Sequence, residues 1–174
     1  MWWSRPQQSC RAAFLLSGFL TALASCSFSP LYAPGGAGQA LSGQIEIQDA
    51  SNLQTYEITQ ALTRAFGPAR MPEFRLTYQS RIVSEDAAIT SGQEISRVNL
   101  IGTLRYSVRD LASGDIVTSG ATNGFVGYSA AGDTVATNAA RRDAEKRLAT
   151  ILADQTFAAV ISDPALAVAA GVPQ

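Results

Sequence analysis

The chain has 174 residues, of which 47% are apolar, so it is long enough for one domain with a packed core and too short for two. Its 13 basic and 14 acidic residues give a net charge of −1, which argues against a large nucleic-acid interface. The sequence has no histidine and two cysteines. It therefore lacks the residues for histidine-based acid–base catalysis, for Ser-His-Asp or Cys-His nucleophiles, and for a zinc site built from histidines or thiolates.

The first 25 residues have the pattern of an export signal. Arg5 and Arg11 precede an uncharged apolar segment, residues 12–24. This segment is shorter than the about 20 residues that a membrane-spanning helix needs, and its length is typical of the apolar part of a signal peptide. We therefore predict that residues 1–25 are a lipoprotein signal peptide.

Cys26 follows the apolar segment directly, in the order Leu-Ala-Ser-Cys. This order resembles a bacterial lipobox, which implies cleavage before Cys26, a diacylglycerol on its sulfur and an acyl chain such as palmitate on its new N-terminus. Several acyl chains give durable membrane anchoring. We expect these lipids instead of any cofactor, and Ser27 favours the periplasmic face of the outer membrane. The simpler alternative is an ordinary signal peptide followed by a buried thiol.

Cleavage at that position would change the charge of the protein. It would remove two of the 13 basic residues and none of the 14 acidic ones, leaving a net charge of −3. It would also remove both tryptophans and leave a single, lipidated cysteine. Residues 26–43 then form the lipidated cysteine and a flexible Gly- and Ala-rich linker.

Residues 44–163 predict one α+β domain. A short alternating segment at 44–48 predicts the first strand, and Ser51 predicts the cap of a helix over 52–66. Alternation over 73–83 and 94–110 predicts two further strands, with a loop at 85–93 between them.

Residues 115–129 predict a fourth strand, but its three glycines leave its two faces unassigned. Asp133 predicts the start of a long helix that reaches about Ile161, and residues 164–174 predict a frayed C-terminal tail. The order strand-helix-strand-strand-strand-helix favours an α+β fold, with two helices packed on one face of a four-stranded, mainly antiparallel sheet.

The polar side of the two clearest strands is rich in arginine. A solvated sheet face needs charges, and arginine also discourages edge-to-edge aggregation. Alternatively, the planar forks of these guanidinium groups would recognise phosphate or carboxylate. The candidate anion-contacting residues are Arg75, Arg81, Arg97, Arg105 and Arg109.

Several short motifs together resemble one family. Phe28-Ser-Pro-Leu-Tyr32 follows the lipobox, Tyr106-Ser-Val-Arg-Asp110 leads to a hairpin, and Asp143-Ala-Glu-Lys-Arg-Leu-Ala149 lies in the long helix. In this order they resemble the lipopolysaccharide-assembly lipoproteins of the LptE family. The resemblance implies a non-enzymatic protein that binds and supports the outer-membrane β-barrel LptD and helps to place lipopolysaccharide in the outer leaflet.

The resemblance also implies a contact site in the loop between the second and third strands. By position, Ile89, Thr90, Ser91, Gly92 and Gln93 match the segment that contacts the barrel or the glycolipid in some members. This loop has no Lys or Arg here, which shifts the expected anion contact to the sheet arginines. The alternatives are an accessory lipoprotein of an ABC-type envelope transport system and a periplasmic enzyme that works with carboxylates alone.

Overall fold

The computed structural model describes residues 43–89 and 95–171, together with Gly38 and Leu41. The predicted signal peptide, Cys26, most of the linker and loop residues 90–93 lie outside the described residues. In chain order the elements are β1 (Ile45–Ile47), α1 (Leu53–Phe66), β2 (Phe74–Ile89), β3 (Ile95–Asp110), β4 (Ile116–Ser129), α2 (Thr134–Ile161) and α3 (Pro164–Ala169).

The four strands form one sheet in the order β1-β2-β3-β4. The β2–β3 and β3–β4 pairs are antiparallel, whereas β1 runs parallel to β2, with Ile45 opposite Phe74. Parallel pairing arises because the chain crosses back through α1 between the two strands. The α+β fold with helices on one face of a four-stranded sheet is thus confirmed, and the sheet is mixed.

The strand β2 is longer than its sequence pattern indicates. The loop predicted at 85–93 is wrong over 85–89, because Glu85 pairs with Asn99 and Asp86 with Val98. Two register shifts follow, one between Asp86 and Ala88 and one between Ala88 and Ile89, and the pairing continues to Ile89. Alternation is lost in this part because the side chains of Glu85 and Asp86 are exposed. The backbone ladder holds the strand there without a buried face.

Both long helices pack on the same face of the sheet. The shared core contains fully buried side chains from both long helices and from β2 and β3, among them Ile58, Leu62, Leu76, Leu100, Leu104, Leu148, Leu152 and Val160. Two facing glycines, Gly102 and Gly124, bring α2 close to the sheet. A Cβ at Gly102 would lie only 2.9 Å from Leu152 Cδ1.

The helix ends are capped, but one cap differs from the prediction. Asn52, not Ser51, caps α1, and its side chain and that of Thr55 satisfy each other's backbone N–H groups. Asp133 caps α2 as predicted. The frayed tail expected from residue 164 onwards is wrong over Pro164–Ala169, which form the capped helix α3 with Leu166 buried.

Candidate functional site

The side of the sheet opposite the helices is the candidate site, and we call it the open face. All five predicted arginines lie on it and are exposed. On the core-facing side, the register places Tyr78, Tyr106 and Gly120 in one cross-strand row. Because side chains alternate along each strand, the neighbouring residues fall on the open face. They include Arg75, Thr77, Gln79, Arg81, Val83, Arg97, Asn99, Ile101, Thr103, Arg105, Ser107, Arg109, Ser119, Ala121, Asn123 and Phe125.

Two of the arginines stabilise the sheet itself. Arg75 forms an ion pair with Glu46 on β1, with its Nη2 and Nε each 2.8 Å from Oε2. Arg109 faces Arg75 across the strands and donates to the Gly114 carbonyl in the β3–β4 hairpin. Both arginines therefore have protein partners, and an exposed pair such as Arg75–Glu46 adds at most about 1 kcal/mol to stability.

The other three arginines are available to a ligand. Arg81, Arg97 and Arg105 form no hydrogen bond or ion pair with any residue in 43–89 or 95–171. Arg81 is opposite Thr103 and Arg105 is opposite Gln79, so the two occupy diagonal positions with Cβ atoms about 7–8 Å apart. Two like charges at this distance form a local positive patch.

A row of apolar side chains crosses the open face beside this patch. Val83, Ile101 and Phe125 are directly paired across three strands. Phe125 is 71% exposed and Val83 is 41% exposed. Beside Ile101 and Phe125 is a shallow depression of about 230 Å³, which Asn99 and Asn123 also line. The row lies one side-chain step beyond Arg81, about 7 Å along the strand.

Arg97 bounds the other side of the apolar row. It is opposite Ser129, two side-chain steps beyond Ile101, or about 14 Å. Glu85 stands diagonally to it on β2, yet no ion pair joins them. The apolar row therefore has a cation on each side. The sequence alone does not reveal this arrangement, because it depends on the strand register and on which side chains of β4 share a face.

A second depression lies at the end of the open face near β1. It has a volume of roughly 340 Å³ and is lined by polar groups, including Gln48, Gln79, Arg105 and Ser107. This depression exists because β1 ends at Ile47 and leaves the following part of β2 uncovered. Its lining is suited to hydrogen-bonding polar or anionic groups.

Two buried tyrosines have shifted pKa values, and both lie on the core-facing side. Burial raises the pKa of Tyr78 above 10.0, and a hydrogen bond to Thr59 works in the opposite direction. Burial, and to a lesser extent the Asp163 carboxylate, raise the pKa of Tyr106. The Tyr78 hydroxyl also donates to the Thr55 carbonyl at 2.9 Å and so attaches α1 to the sheet. These shifts follow from packing.

The remaining predicted site residues are placed only in part. Ile89 ends β2, where its backbone pairs with Ile95, and Thr90, Ser91, Gly92 and Gln93 lie outside the described residues, as does Cys26. Within the described ranges, no group of three or more His, Cys, Asp or Glu residues could hold a metal ion. No described helix combines the length and apolar character needed to cross a membrane.

Comparison with solved structures relates this fold to bacterial lipoproteins. A lipoprotein of Caulobacter crescentus CB15 matches with a TM-score of 0.61 and 21% identity, covering 73% of this chain and 96% of that one. Rare lipoprotein B of Shewanella oneidensis matches with a TM-score of 0.48 and 13% identity, covering 67% and 92%. At these identities the likeness to the Caulobacter protein establishes the fold alone. A search of the curated proteins finds no match.

The profile of one protein family matches this sequence. The family is LptE, described as lipopolysaccharide-assembly, and the match spans residues 43–160, more than half of the chain. The matched segment contains the whole sheet, α1 and all but the last residue of α2. Proteins of this family take part in lipopolysaccharide assembly without catalysing a reaction, as the sequence motifs implied. The chain therefore belongs to the LptE family of lipopolysaccharide-assembly proteins.

Proposed function

We propose that this protein is a lipid-anchored lipoprotein on the periplasmic side of the outer membrane, where it binds and supports an LptD-type β-barrel. Its family membership supports the role in lipopolysaccharide assembly. The lipobox-like sequence supports a diacylglycerol and an N-acyl chain on Cys26. Its open face supports direct contact with an anionic, partly apolar partner.

The observation that carries the proposal is the apolar row between arginines that have no partner among the described residues. Val83, Ile101 and Phe125 would contact acyl chains or apolar barrel side chains. Arg81 and Arg105 on one side of this row, and Arg97 on the other, would bind phosphate or carboxylate. Lipopolysaccharide carries both phosphates and acyl chains. A soluble protein rarely exposes apolar side chains as a continuous row unless they meet a partner.

Affinity isolation tests the barrel partner. The tagged chain, extracted from membranes in detergent, should retain a large β-barrel in a stoichiometric amount, and its depletion should reduce lipopolysaccharide at the cell surface. Isolation of the chain alone, with normal surface lipopolysaccharide after depletion, would refute this role. Co-isolation of inner-membrane ATPase subunits would instead favour an ABC-type transport system.

A pair of matched double variants tests the anion contact. Arg97→Ala with Arg105→Ala should weaken binding to lipopolysaccharide or to the barrel at least tenfold, since one charged hydrogen bond contributes about 1.5–3 kcal/mol. Arg75→Ala with Arg109→Ala removes the same charge from residues that already have protein partners, and should have little effect. Equal binding by the two double variants would leave these arginines as solvated surface charges.

The anchor is tested separately. Cys26→Ala should abolish labelling by a fatty-acid probe and release the chain from membranes, while the domain keeps its circular dichroism spectrum. Continued labelling of the Cys26→Ala chain would contradict the lipobox assignment.

A further inference from the structure

A groove runs along the exposed side of α1 that lies next to the end of β1. Thr59 marks this side, because its hydroxyl is 3.4 Å from the carbonyl oxygen of Gln48, the residue after β1. The groove has a volume of about 370 Å³ and a mostly apolar surface, and a groove of this size is suited to binding apolar groups. Its lining residues are Tyr56, Thr59, Gln60, Thr63 and Arg64.

Hydrogen bonds within α1 hold the side chains that line the groove. Gln60 Nε2 donates to the Tyr56 hydroxyl at 2.8 Å, and Arg64 Nε donates to the Gln60 carbonyl at 3.3 Å. Tyr56 is 47% exposed even so. The groove therefore has an aromatic ring near the N-terminal end of α1 and a guanidinium group near its C-terminal end.

The chain that precedes β1 packs on the domain beside the C-terminal end of α1. Leu41 is 3% exposed and belongs to the core, and Gly38 is also buried. A Cβ at Gly43 would lie 3.5 Å from the carbonyl oxygen of Pro68, just after the end of α1. The N-terminal part of the chain therefore continues from a point close to the Arg64 end of the groove.

We propose that the N-terminal motif, the Phe-Ser-Pro-Leu-Tyr segment at residues 28–32, binds in this groove antiparallel to α1. Tyr32 would then lie near Arg64, and Phe28 near Tyr56. The lengths agree, because an extended segment rises about 3.3 Å per residue and the motif spans about 13 Å. The two ends of the groove are about 12 Å apart along the helix axis.

The composition of the motif matches that of the groove. Phe28, Leu31 and Tyr32 are large apolar side chains, and removing them from water favours binding. Pro30 restricts the motif to extended conformations, so that binding costs less conformational entropy. The Arg64 guanidinium can donate to backbone carbonyls, which an extended segment leaves available.

The short connection between the motif and the core makes this contact intramolecular. The chain from Tyr32 to Leu41 is rich in Gly and Ala, and its root-mean-square span is about 15–18 Å, comparable with the length of the groove. Such a tether gives an effective concentration of about 1 mM. Three partly buried large side chains correspond to a dissociation constant of about 0.1 mM. The bound form should therefore be about ten times as populated as the free form.

Binding of the motif would determine where the proposed anchor joins the domain. Only Ser27 would separate Cys26 from the bound motif, so the anchor would lie beside α1, on the opposite side of the sheet from the open face. The open face would then remain accessible to its partner. The inference depends neither on the anchor nor on the barrel, because the motif and the groove are present whatever Cys26 carries.

Disulfide cross-linking tests the position of the motif. The full chain with Cys10→Ser, in phosphatidylethanolamine vesicles, receives Ala33→Cys next to the motif and Thr63→Cys in the groove, so that the large side chains of the motif stay in place. Mild oxidation should link this pair at least about tenfold faster than Ala33→Cys with Met71→Cys. Met71 is 79% exposed and lies where the chain enters the domain, so a free segment would reach it at least as easily. The Ala33→Cys chain without a second replacement measures any reaction of Cys26.

Charge variants of the groove supply an independent measurement. Limited chymotrypsin digestion followed by mass spectrometry gives the rate of cleavage after Tyr32 in the same vesicles. Tyr56→Glu with Thr63→Glu should raise this rate about tenfold, because burying the motif against charged groups is unfavourable. Val135→Glu with Asn138→Glu adds the same charge at exposed positions of α2 and should change the rate less than about twofold. Circular dichroism checks that both double variants are folded.

Three results would overturn the proposal. The first is cross-linking of Ala33→Cys to Met71→Cys as fast as to Thr63→Cys, which would show that the motif is free. The second is slow cleavage after Tyr32 that is equal in the wild-type chain and the groove variant, which would show that the bilayer shields the motif. The third is a groove variant that loses binding to the barrel while its cleavage after Tyr32 stays unchanged, which would assign the groove to that protein.

Discussion

Leu148 fills the space above two facing glycines, and this arrangement predicts a measurable energetic coupling. Leu148 is fully buried on α2, and a Cβ at Gly102 would lie 3.1 Å from its Cδ2 and 3.3 Å from its Cδ1. The perturbations are Leu148→Ala, Gly102→Ala and the double variant. Each variant lowers the free energy of unfolding by some amount. The coupling is the difference between the loss in the double variant and the sum of the losses in the two single variants.

The expected magnitudes follow from the local packing. Leu148→Ala should cost about 3–5 kcal/mol, because the glycines below it have no side chains that could move into the cavity. Gly102→Ala alone should cost about 1–2 kcal/mol, since overpacking outweighs the smaller entropy of the unfolded chain. In the double variant the new methyl group loses its two close contacts with Leu148, while its contact with Leu152 Cδ1 at 2.9 Å remains. The relief is therefore partial, and the total should fall about 1 kcal/mol below the sum.

The measurement is urea unfolding of the soluble Cys26→Ala chain, followed by circular dichroism. Leu62→Ala provides the control, because Leu62 is equally buried but lies on α1. Its combination with Gly102→Ala should be additive within about 0.5 kcal/mol. Equal coupling for Leu62 and Leu148, or additivity for both, would refute the reasoning that the glycine gap sets the approach of α2.

Three further predictions concern stability. The pKa values of Tyr78 and Tyr106 are raised in the folded chain above the ordinary tyrosine value of 10.0. The protonated hydroxyls therefore favour the folded state, and this contribution is complete below pH 10.0 and is lost as the pH rises through the pKa values of the folded chain. The free energy of unfolding should therefore fall above pH 10.0, and less so with both residues changed to Phe. Asp133→Ala removes the cap of α2 and should cost about 1 kcal/mol in urea unfolding, whereas Asp133→Asn should restore most of it. Asp163→Ala removes both the cap of α3 and the hydrogen-bond acceptor for the Thr118 hydroxyl. Proteolysis after residue 162 should therefore increase, while residues 43–161 stay protected. Unchanged cleavage would mean that α3 packs on the domain without this contact.

Periodicity was sufficient to predict the elements with a buried face. Residues 73–83 and 94–110 alternate strictly because their even positions enter the core, as Leu76 and Leu104 show. Both long helices were also predicted within one or two residues of their bounds. The arginine side of the sheet followed from the same alternation.

Features that depend on pairing could not be predicted in this way. The second half of β2 is exposed on both sides around Glu85 and Asp86, and only its partner strand keeps it extended. In β4 a bulge at Val117 shifts the alternation, so the faces become assignable only from the register that pairs Val108 with Thr118. The apolar row through Phe125 stayed unrecognised for the same reason. The helix α3 was missed because its anchors, Leu166 and Asp163, act through distant partners.

Because Arg75 forms an ion pair with Glu46, the positive charge on the open face is distributed unevenly along the strands. Near Gly43, where the chain enters the domain, the positive charge is compensated by Glu46, and Arg109 is engaged with its own hairpin. Farther along the strands, Arg105, Arg81 and Arg97 follow one another over eight residues of β3, about 27 Å, without partners in the described chain. Since Glu85 stands diagonally to Arg97 near the tip, the positive charge that has no partner in the described chain is concentrated at Arg81 and Arg105 in the middle of the sheet. An anionic molecule that reaches this surface from the entry of the chain would therefore be attracted most strongly to the middle of the sheet, beside the apolar row, and less to its tip.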